Sequence, residues 1–364
     1  MSLHWNLLIE KDQIHKTSLS TESATELKSG QVEVQLETFA LTANNITYAV
    51  LGNSLGGLAK MGYWDFFPYD EKHGLLPVWG YSRVVQSQHD DLAEDTLLYG
   101  FFPLGSHLVM EPKIQPGVGV VDAIEHRRSL PGVYNQYTPT ASIRNFDSEE
   151  SLWPVFRPLY VTGFMISDEL VQNQCFGASQ VVVGSSSSKT AMLFAHCFKQ
   201  AAPDVRLVGL TSSRNVSFVN DTRLYDDVVG YDNFSALDDG TDTVFVDMAG
   251  NGDIIKSVYQ ALGTALKAGI LVGKSHWSSD LDMTGLEGPK MNMFFAPEVI
   301  RQRMETWGPK VLGQKLAEAW ESFVVRADQL TTIWEVSGPE GAQGTYMELI
   351  KGNVDPSVSN LVRV

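Results

Sequence analysis

Four short segments carry residue types suited to holding a phosphorylated ligand. Val181–Val183 is a β-branched run that leads into Gly184-Ser185-Ser186-Ser187-Ser188-Lys189-Thr190, followed by a helical pattern over Thr190–Lys199. A strand that exits through small residues into a helix N-terminus offers free amides and the positive end of a helix dipole, which suits a pyrophosphate. Serine stands where such loops usually carry glycine; it is small and adds a hydroxyl donor. The second segment, Leu210-Thr211-Ser212-Ser-Arg214-Asn215, ends the next strand. A NAD site would place an acid there for the ribose 2′-hydroxyl. This segment has none, and its hydroxyls with Arg214 suit the 2′-phosphate of NADP. The third and fourth, Met248-Ala249-Gly250-Asn-Gly252 and Gly273-Lys-Ser-His276-Trp277, close two later strands with small residues that let backbone approach the nicotinamide half.

Other readings of the same residues stay open. Gly184-x-x-x-x-Lys189-Thr190 shares part of the P-loop pattern, but Lys189 occupies the place of its second glycine. The serine run is also a good helix cap. Arg214 can be an ordinary surface charge, and His276 and Trp277 can be packing residues.

These segments need a parallel α/β sheet to align them. Strands expected at Gln180–Val183, 205–210, 228–229, 243–247 and 268–273 alternate with helical stretches, including one over 253–267. The part before about Pro154 reads instead as β-rich and punctuated by Gly and Pro, as at Gly56-Gly57 and Pro131-Gly132. There Gln31–Phe39 alternates Val32, Val34 and Leu36 against Gln31, Glu33, Gln35 and Glu37, the signature of a half-buried strand. Further strands are expected at 82–86 and 107–110. The last part, from about Pro297, reads as helices over 297–304 and 311–326 with a closing strand at 331–335.

The 364 residues suit two domains at about 100–200 residues each. A formal charge of −16 disfavours a nucleic-acid partner. Two cysteines, Cys175 and Cys197, exclude a disulfide framework. The N-terminus carries no signal-peptide pattern, and no apolar run reaches membrane-spanning length, so a cytoplasmic protein without membrane contact is expected.

The order of these features resembles the medium-chain dehydrogenases/reductases, in their zinc-free quinone-oxidoreductase branch. Val32–Asn45 is similar to that family's opening strand and L-N-P-x-D turn, with Asn45 where the family often has Asp. Pro77-Val-Trp-Gly-Tyr-Ser-Arg-Val-Val85 is similar to its P-x-x-G-H-E-x-x-G-x-V segment, and Leu97–His107 to the strand and loop that follow. The resemblance implies a Rossmann-type parallel sheet domain (156–296) inserted in a GroES-like, mostly β catalytic domain (1–155 plus 297–364), with the substrate between them. It implies an NADPH-dependent oxidoreductase acting on a quinone, enone or related carbonyl, often as a homodimer, with Thr162 beside the nicotinamide. Gly80-Tyr81-Ser82 lacks the zinc ligands of G-H-E, so no metal is expected. Without a Lewis acid, a tyrosine is a reasonable proton donor; Tyr48, Tyr81, Tyr134 and Tyr137 are the candidates, and each can instead be a half-buried structural residue with a bonded hydroxyl. A catalytically poor NADPH-binding sensor or scaffold is the alternative. The run Tyr63-Trp-Asp-Phe-Phe67 either lines an apolar pocket or fills the core.

Overall fold

The computed structural model describes residues 4–54, 61–276, 287–352 and 354–364. The chain divides into two compact units, 1–155 with 333–354 and 358–364, and 156–332 with 355–357. Gly56-Gly57 and Trp277 lie outside the described residues.

The first unit is a mostly β, GroES-like domain. It opens with the hairpin β1 (His4–Glu10) and β2 (Gln13–Glu22), continues through β3 (Val32–Leu41) and α1 (Ala43–Val50), and then through β4 (His73–Leu75) and β5 (Pro77–Ser87). There follow β6 (Leu97–Pro103), β7 (His107–Met110), β8 (Pro112–Gln115), β9 (Gly119–Asp122) and β10 (Gln136–Pro139), then the short α2 (Phe146–Glu149). β3 is the hub: it pairs antiparallel with β5 and β7. The sequence alternation places Val32, Val34 and Leu36 inside as expected, but Glu33 is buried as well, only 6% exposed. Tyr63, Trp64, Phe66 and Phe67 are all buried, so this aromatic run fills the core.

α3 (Leu152–Gln172) leads into the second unit. There β11 (Gln180–Gly184), α4 (Lys189–Ala201), β12 (Arg206–Thr211), α5 (Val216–Thr222), β13 (Asp227–Gly230), β14 (Thr243–Asp247), α6 (Gly252–Leu262), β15 (Leu266–Leu271) and β16 (Met291–Met293) follow in turn. The six strands pair in parallel in the order β13-β12-β11-β14-β15-β16. Numbered from one within this sheet, that order is 3-2-1-4-5-6, the dinucleotide-binding arrangement, which reverses direction between β11 and β14. All five residues of β11 and of β14 are buried, because helices cover both faces of a parallel sheet and leave no solvent side. Their apolar side chains join a core built from Val182, Phe245, Ile255, Val258 and Leu262.

The helix expected over 253–267 stops early. Gly263 takes φ +48°, which ends α6, and Leu266 and Lys267 already belong to β15. Gly163 sets the approach of α3 to α4: a Cβ there would lie 2.6 Å from the Phe194 amide nitrogen.

α7 (Ala296–Trp307) and α8 (Pro309–Leu330) group with the second unit, whereas the sequence reading places everything from 297 in the first. The reason is aromatic packing. Trp320 and Phe323 of α8 contact Tyr160 of α3, with ring centroids 5.4 and 5.6 Å apart, and the Arg157 guanidinium lies 5.3 Å from the Trp320 ring. His196 of α4 is hydrogen-bonded to Ser322 at 2.9 Å. β17 (Thr332–Ser337), α9 (Gly338–Lys351) and β18 (Val358–Arg363) end the chain, and β18 pairs with β3. No helix among the described residues is long and apolar enough to cross a membrane.

Candidate functional site

The serine loop lies where β11 meets α4, beside the switch between β11 and β14. Gly184 is paired with Leu210 on one side and Asp247 on the other. A Cβ on Gly184 would lie 2.5 Å from Asp247 Oδ1, so only glycine fits between strand and carboxylate.

The four serines do different work. Ser185 adopts φ +55°, a left-handed conformation rare for a residue with a side chain. Tyr231 holds it there: Ser185 N donates to Tyr231 Oη at 2.9 Å and the two hydroxyls are 3.2 Å apart. Ser186 is fully buried, and its Oγ has no hydrogen-bond partner among the described residues. Its carbonyl accepts from Tyr225 Oη at 3.1 Å. Ser187 Oγ accepts from Thr211 Oγ1 at 3.2 Å and from Asn215 Nδ2 at 3.1 Å, which ties the serine loop to the turn after β12. Ser188 is the N-cap of α4 and accepts from the Ala191 amide at 3.3 Å. That takes one of the amides a helix leaves without intrahelical partners at its first turn.

Lys189 is half-buried, and its ammonium donates to the Pro356 carbonyl at 3.5 Å. Burial holds its pKa down to about 8, opposed by the nearby charge of Asp355. Thr190 follows in the first turn of α4 and is partly exposed. On β12, Thr211 is buried, Ser212 caps the short turn at Ser213–Asn215, and Arg214 is exposed.

The fourth-strand exit contains a residue that sequence reasoning missed. Asp247 is 1% exposed, and its Oδ2 accepts from the amides of Ala249 and Gly250. Burial raises its pKa to about 6, against those two hydrogen bonds. The available signal was an acid closing the apolar strand Val244-Phe-Val246. Tyr225 and Tyr231 were missed too, since nothing local marks a tyrosine as the prop for a loop some 40 residues earlier.

Gly250 has φ +70°, and a Cβ there would lie 2.9 Å from the Gly273 carbonyl, so the exits of β14 and β15 pack backbone to backbone. The His276 amide donates to the Ala249 carbonyl at 3.0 Å, and its side chain is exposed. Thr162, in the middle of α3, donates its hydroxyl to the Pro158 carbonyl at 3.2 Å. Ser185–Thr190, Thr211–Asn215, Ala249, Gly250, Gly273 and His276 thus gather at the strand ends of one sheet.

The tyrosines lie in the first unit. Tyr81 donates to the Glu150 carbonyl at 2.9 Å. Tyr137 donates to the Phe101 carbonyl at 2.7 Å and accepts from Arg127 at 2.9 Å, and burial pushes its pKa up to about 12. Tyr134 and Tyr63 pair through their hydroxyls at 3.2 Å. Tyr48 differs: its hydroxyl accepts from Trp79 Nε1 at 3.3 Å, and burial raises its pKa well above the usual range. Asn45, where the compared family often has Asp, is buried; its Oδ1 accepts from the Thr42 amide at 2.8 Å and its Nδ2 donates to the Pro77 carbonyl at 3.0 Å. An aspartate could not make the second bond. Among the described residues no three side chains of metal-ligating type converge.

Fold and strand-end cluster together define a two-unit protein with a Rossmann-type sheet domain inserted in a GroES-like domain. The chain belongs to the family described as "Protein of unknown function (DUF2855)", which matches residues 39–355. No curated protein matches the sequence. Among solved structures, CurA from Vibrio vulnificus superposes with a TM-score of 0.62 at 12% identity, over 99% of this chain and 98% of that one. The same protein in complex with NADPH gives 0.57 at 13% identity, over 99% of both chains. A putative NADPH:quinone reductase from Mesorhizobium loti gives 0.60 at 12% identity, over 100% of this chain and 99% of that one. At such identities the likeness is one of fold.

Proposed function

We propose that the chain is an NADPH-dependent oxidoreductase of the zinc-free medium-chain type. One observation carries the reading: the Ser185–Thr190 loop and the acid-free Thr211–Asn215 turn are joined through Ser187 at the switch point of a 3-2-1-4-5-6 sheet. That is where such sheets bind dinucleotides. The NADPH complex of CurA, which shares the fold, supports it.

The residues present fit the cofactor. Gly184 leaves no room for a Cβ, and Ser185 is held open by Tyr231, so backbone can approach a pyrophosphate at the start of α4. Arg214, with Ser212, would take the 2′-phosphate as a charge-assisted contact. Thr190 would add a hydroxyl, and Lys189, whose ammonium is held by Pro356, would contribute charge. Ala249, Gly250, Gly273 and His276 would face the nicotinamide half with backbone and small side chains, and Thr162 is the expected contact from α3. When bound, NADPH supplies the hydride; the chain positions the acceptor and delivers one proton. The substrate class suggested by the family resemblance is a quinone, an enone or a related carbonyl, and the same resemblance suggests a homodimer.

Tyr48 is the donor that the geometry favours. The hydroxyl protons of Tyr81 and Tyr137 are committed to backbone carbonyls, whereas Trp79 donates to Tyr48 and leaves the Tyr48 proton to be given. NADPH consumption with a panel of quinones and enones tests the activity. Turnover is expected, and Tyr48→Phe should lower kcat by about 10²-fold or more, the usual worth of a positioned acid. Saturable NADPH binding with no turnover on any acceptor would favour the sensor or scaffold reading instead.

A further inference from the structure

The first unit holds a second cavity, of about 260 Å³, on which the proposed reaction makes no demand. Its volume approaches the lower end of small-molecule sites, about 300 Å³. Glu33 of β3 lines it, and this carboxylate sits on the strand face that the alternation of polar residues would send to solvent. It is 94% buried, since only 6% of its surface is exposed, and Oε1 has no hydrogen-bond partner among the described residues. The nearest nitrogen of a basic side chain is His4 Nε2 at 3.7 Å, too far for a hydrogen bond. A buried carboxylate oxygen without a donor is costly unless something supplies one.

The neighbours restrict what that could be. Arg127 also lines the cavity, but four of its five N–H donors are spent on Asn135, Asp122, Tyr137 and the Tyr134 carbonyl at 2.7–3.0 Å. It pairs with Asp122 rather than with Glu33, and Glu22 adds a second carboxylate to the lining. The carboxylates of Glu22, Glu33 and Asp122 outnumber the one arginine of the lining, which disfavours an anion. A metal ion is poorly served as well: the His4 and His107 rings are stacked 3.6 Å apart at an interplanar angle of 12°, so their in-plane lone pairs run side by side and do not meet at one point. His107 is further engaged through Nδ1 with Ser106 Oγ at 2.8 Å, and burial beside His4 holds its pKa down to about 4, which leaves it neutral near pH 7. Phe66, Phe67, Pro68, Leu75 and Pro103 form an apolar part of the remaining wall, to which Asn6, Thr25 and His126 add polar groups. Negative charge at one end and apolar surface at the other match a cation with N–H donors on a hydrocarbon stem.

We propose that this cavity is a binding site for a primary ammonium group on a short apolar stem, with the ammonium received by Glu33 beside the His4–His107 stack and the stem against the Phe66–Pro68 wall. The site lies wholly within the first unit and does not depend on the cofactor assignment.

Calorimetric titration of the full chain tests it, with 2-phenylethylammonium as probe and 2-phenylethanol as its uncharged counterpart. The ammonium should bind saturably at one site, and the alcohol at least about tenfold more weakly, as a buried charge pair predicts. Glu33→Gln, which keeps the shape and removes the charge, should bind the ammonium no better than wild type binds the alcohol. Failure of the ammonium to bind, equal binding of both probes by wild type, or undiminished ammonium binding by a folded Glu33→Gln would overturn the proposal. So would Zn²⁺ displacing the ammonium, which would assign the site to a metal. If Glu33→Gln does not fold by circular dichroism, the wild-type comparison of ammonium with alcohol still decides.

Discussion

On the proposed function, cofactor choice turns on Arg214. It stands exposed at the end of β12 where a NAD site would carry an acid. Arg214→Ala should weaken NADPH binding by about tenfold or more, the worth of one charge-assisted contact, and leave NADH unaffected. Equal losses for both cofactors would remove the 2′-phosphate from its role. Asp247 makes a separate prediction, on stability. Its carboxyl titrates near 3.8 when unfolded and is raised to about 6 by burial. Below about pH 4 both states hold the proton and the group contributes nothing. Between about pH 4 and 6 the unfolded chain has released its proton while the folded chain keeps it, so stability falls as pH rises. Above 6 the cost is complete, on the order of 3 kcal/mol at about 1.4 kcal/mol per unit. Asp247→Asn keeps an acceptor for the Ala249 and Gly250 amides, and its chemical-denaturation profile should lose this decline between pH 4 and 6. Parallel profiles for the two proteins would show that Asp247 is not the group responsible.

At the scale of elements, the loop's position is the work of strand packing, and its shape is the work of distant tyrosines. β11 and β14 were readable because Val181-Val-Val183 and Val244-Phe-Val246 are apolar runs that a two-sided core demands. β7 and β14 fall at the residues expected from sequence. α9 was not readable: Gly338, Pro339, Gly341 and Gly344 disfavour a helix, and Tyr346 anchors it by being buried with its hydroxyl on the Ile14 carbonyl at 2.8 Å. The β1–β2 hairpin escaped for a related reason. Nearly all of β2 is exposed or half-exposed, so it carries no apolar period to detect. Of the candidate site, the two polar segments were legible because their composition is local, whereas Asp247, Tyr225 and Tyr231 act through contacts that only the fold creates. The α3–α4 contact gives a test at this scale. Gly163→Val would put a side chain onto the Phe194 backbone, where a Cβ alone comes within 2.6 Å. It should cost roughly 1–3 kcal/mol of stability, as overpacking does, measured by urea denaturation; an unchanged midpoint would mean that the helices separate freely.

For the whole molecule, the net charge of −16 and the two-unit fold bear on which ligands can bind. Such a charge repels polyanions at long range, yet the proposed dinucleotide would meet local donors at the head of α4 and the end of β12, and salt should weaken its binding only modestly. The GroES-like unit has buried polar groups of its own, in Tyr48 beside Trp79 and in Glu33 beside His4. On the proposed function, the strand-end cluster of the second unit holds NADPH. The most direct measurement is a fluorescence titration of the full chain with NADPH and, in parallel, with NADH. Saturable binding of NADPH, at least about tenfold tighter than NADH as a contact to the extra phosphate requires, is the expected result. No binding of either cofactor, or equal affinity for the two, would contradict it.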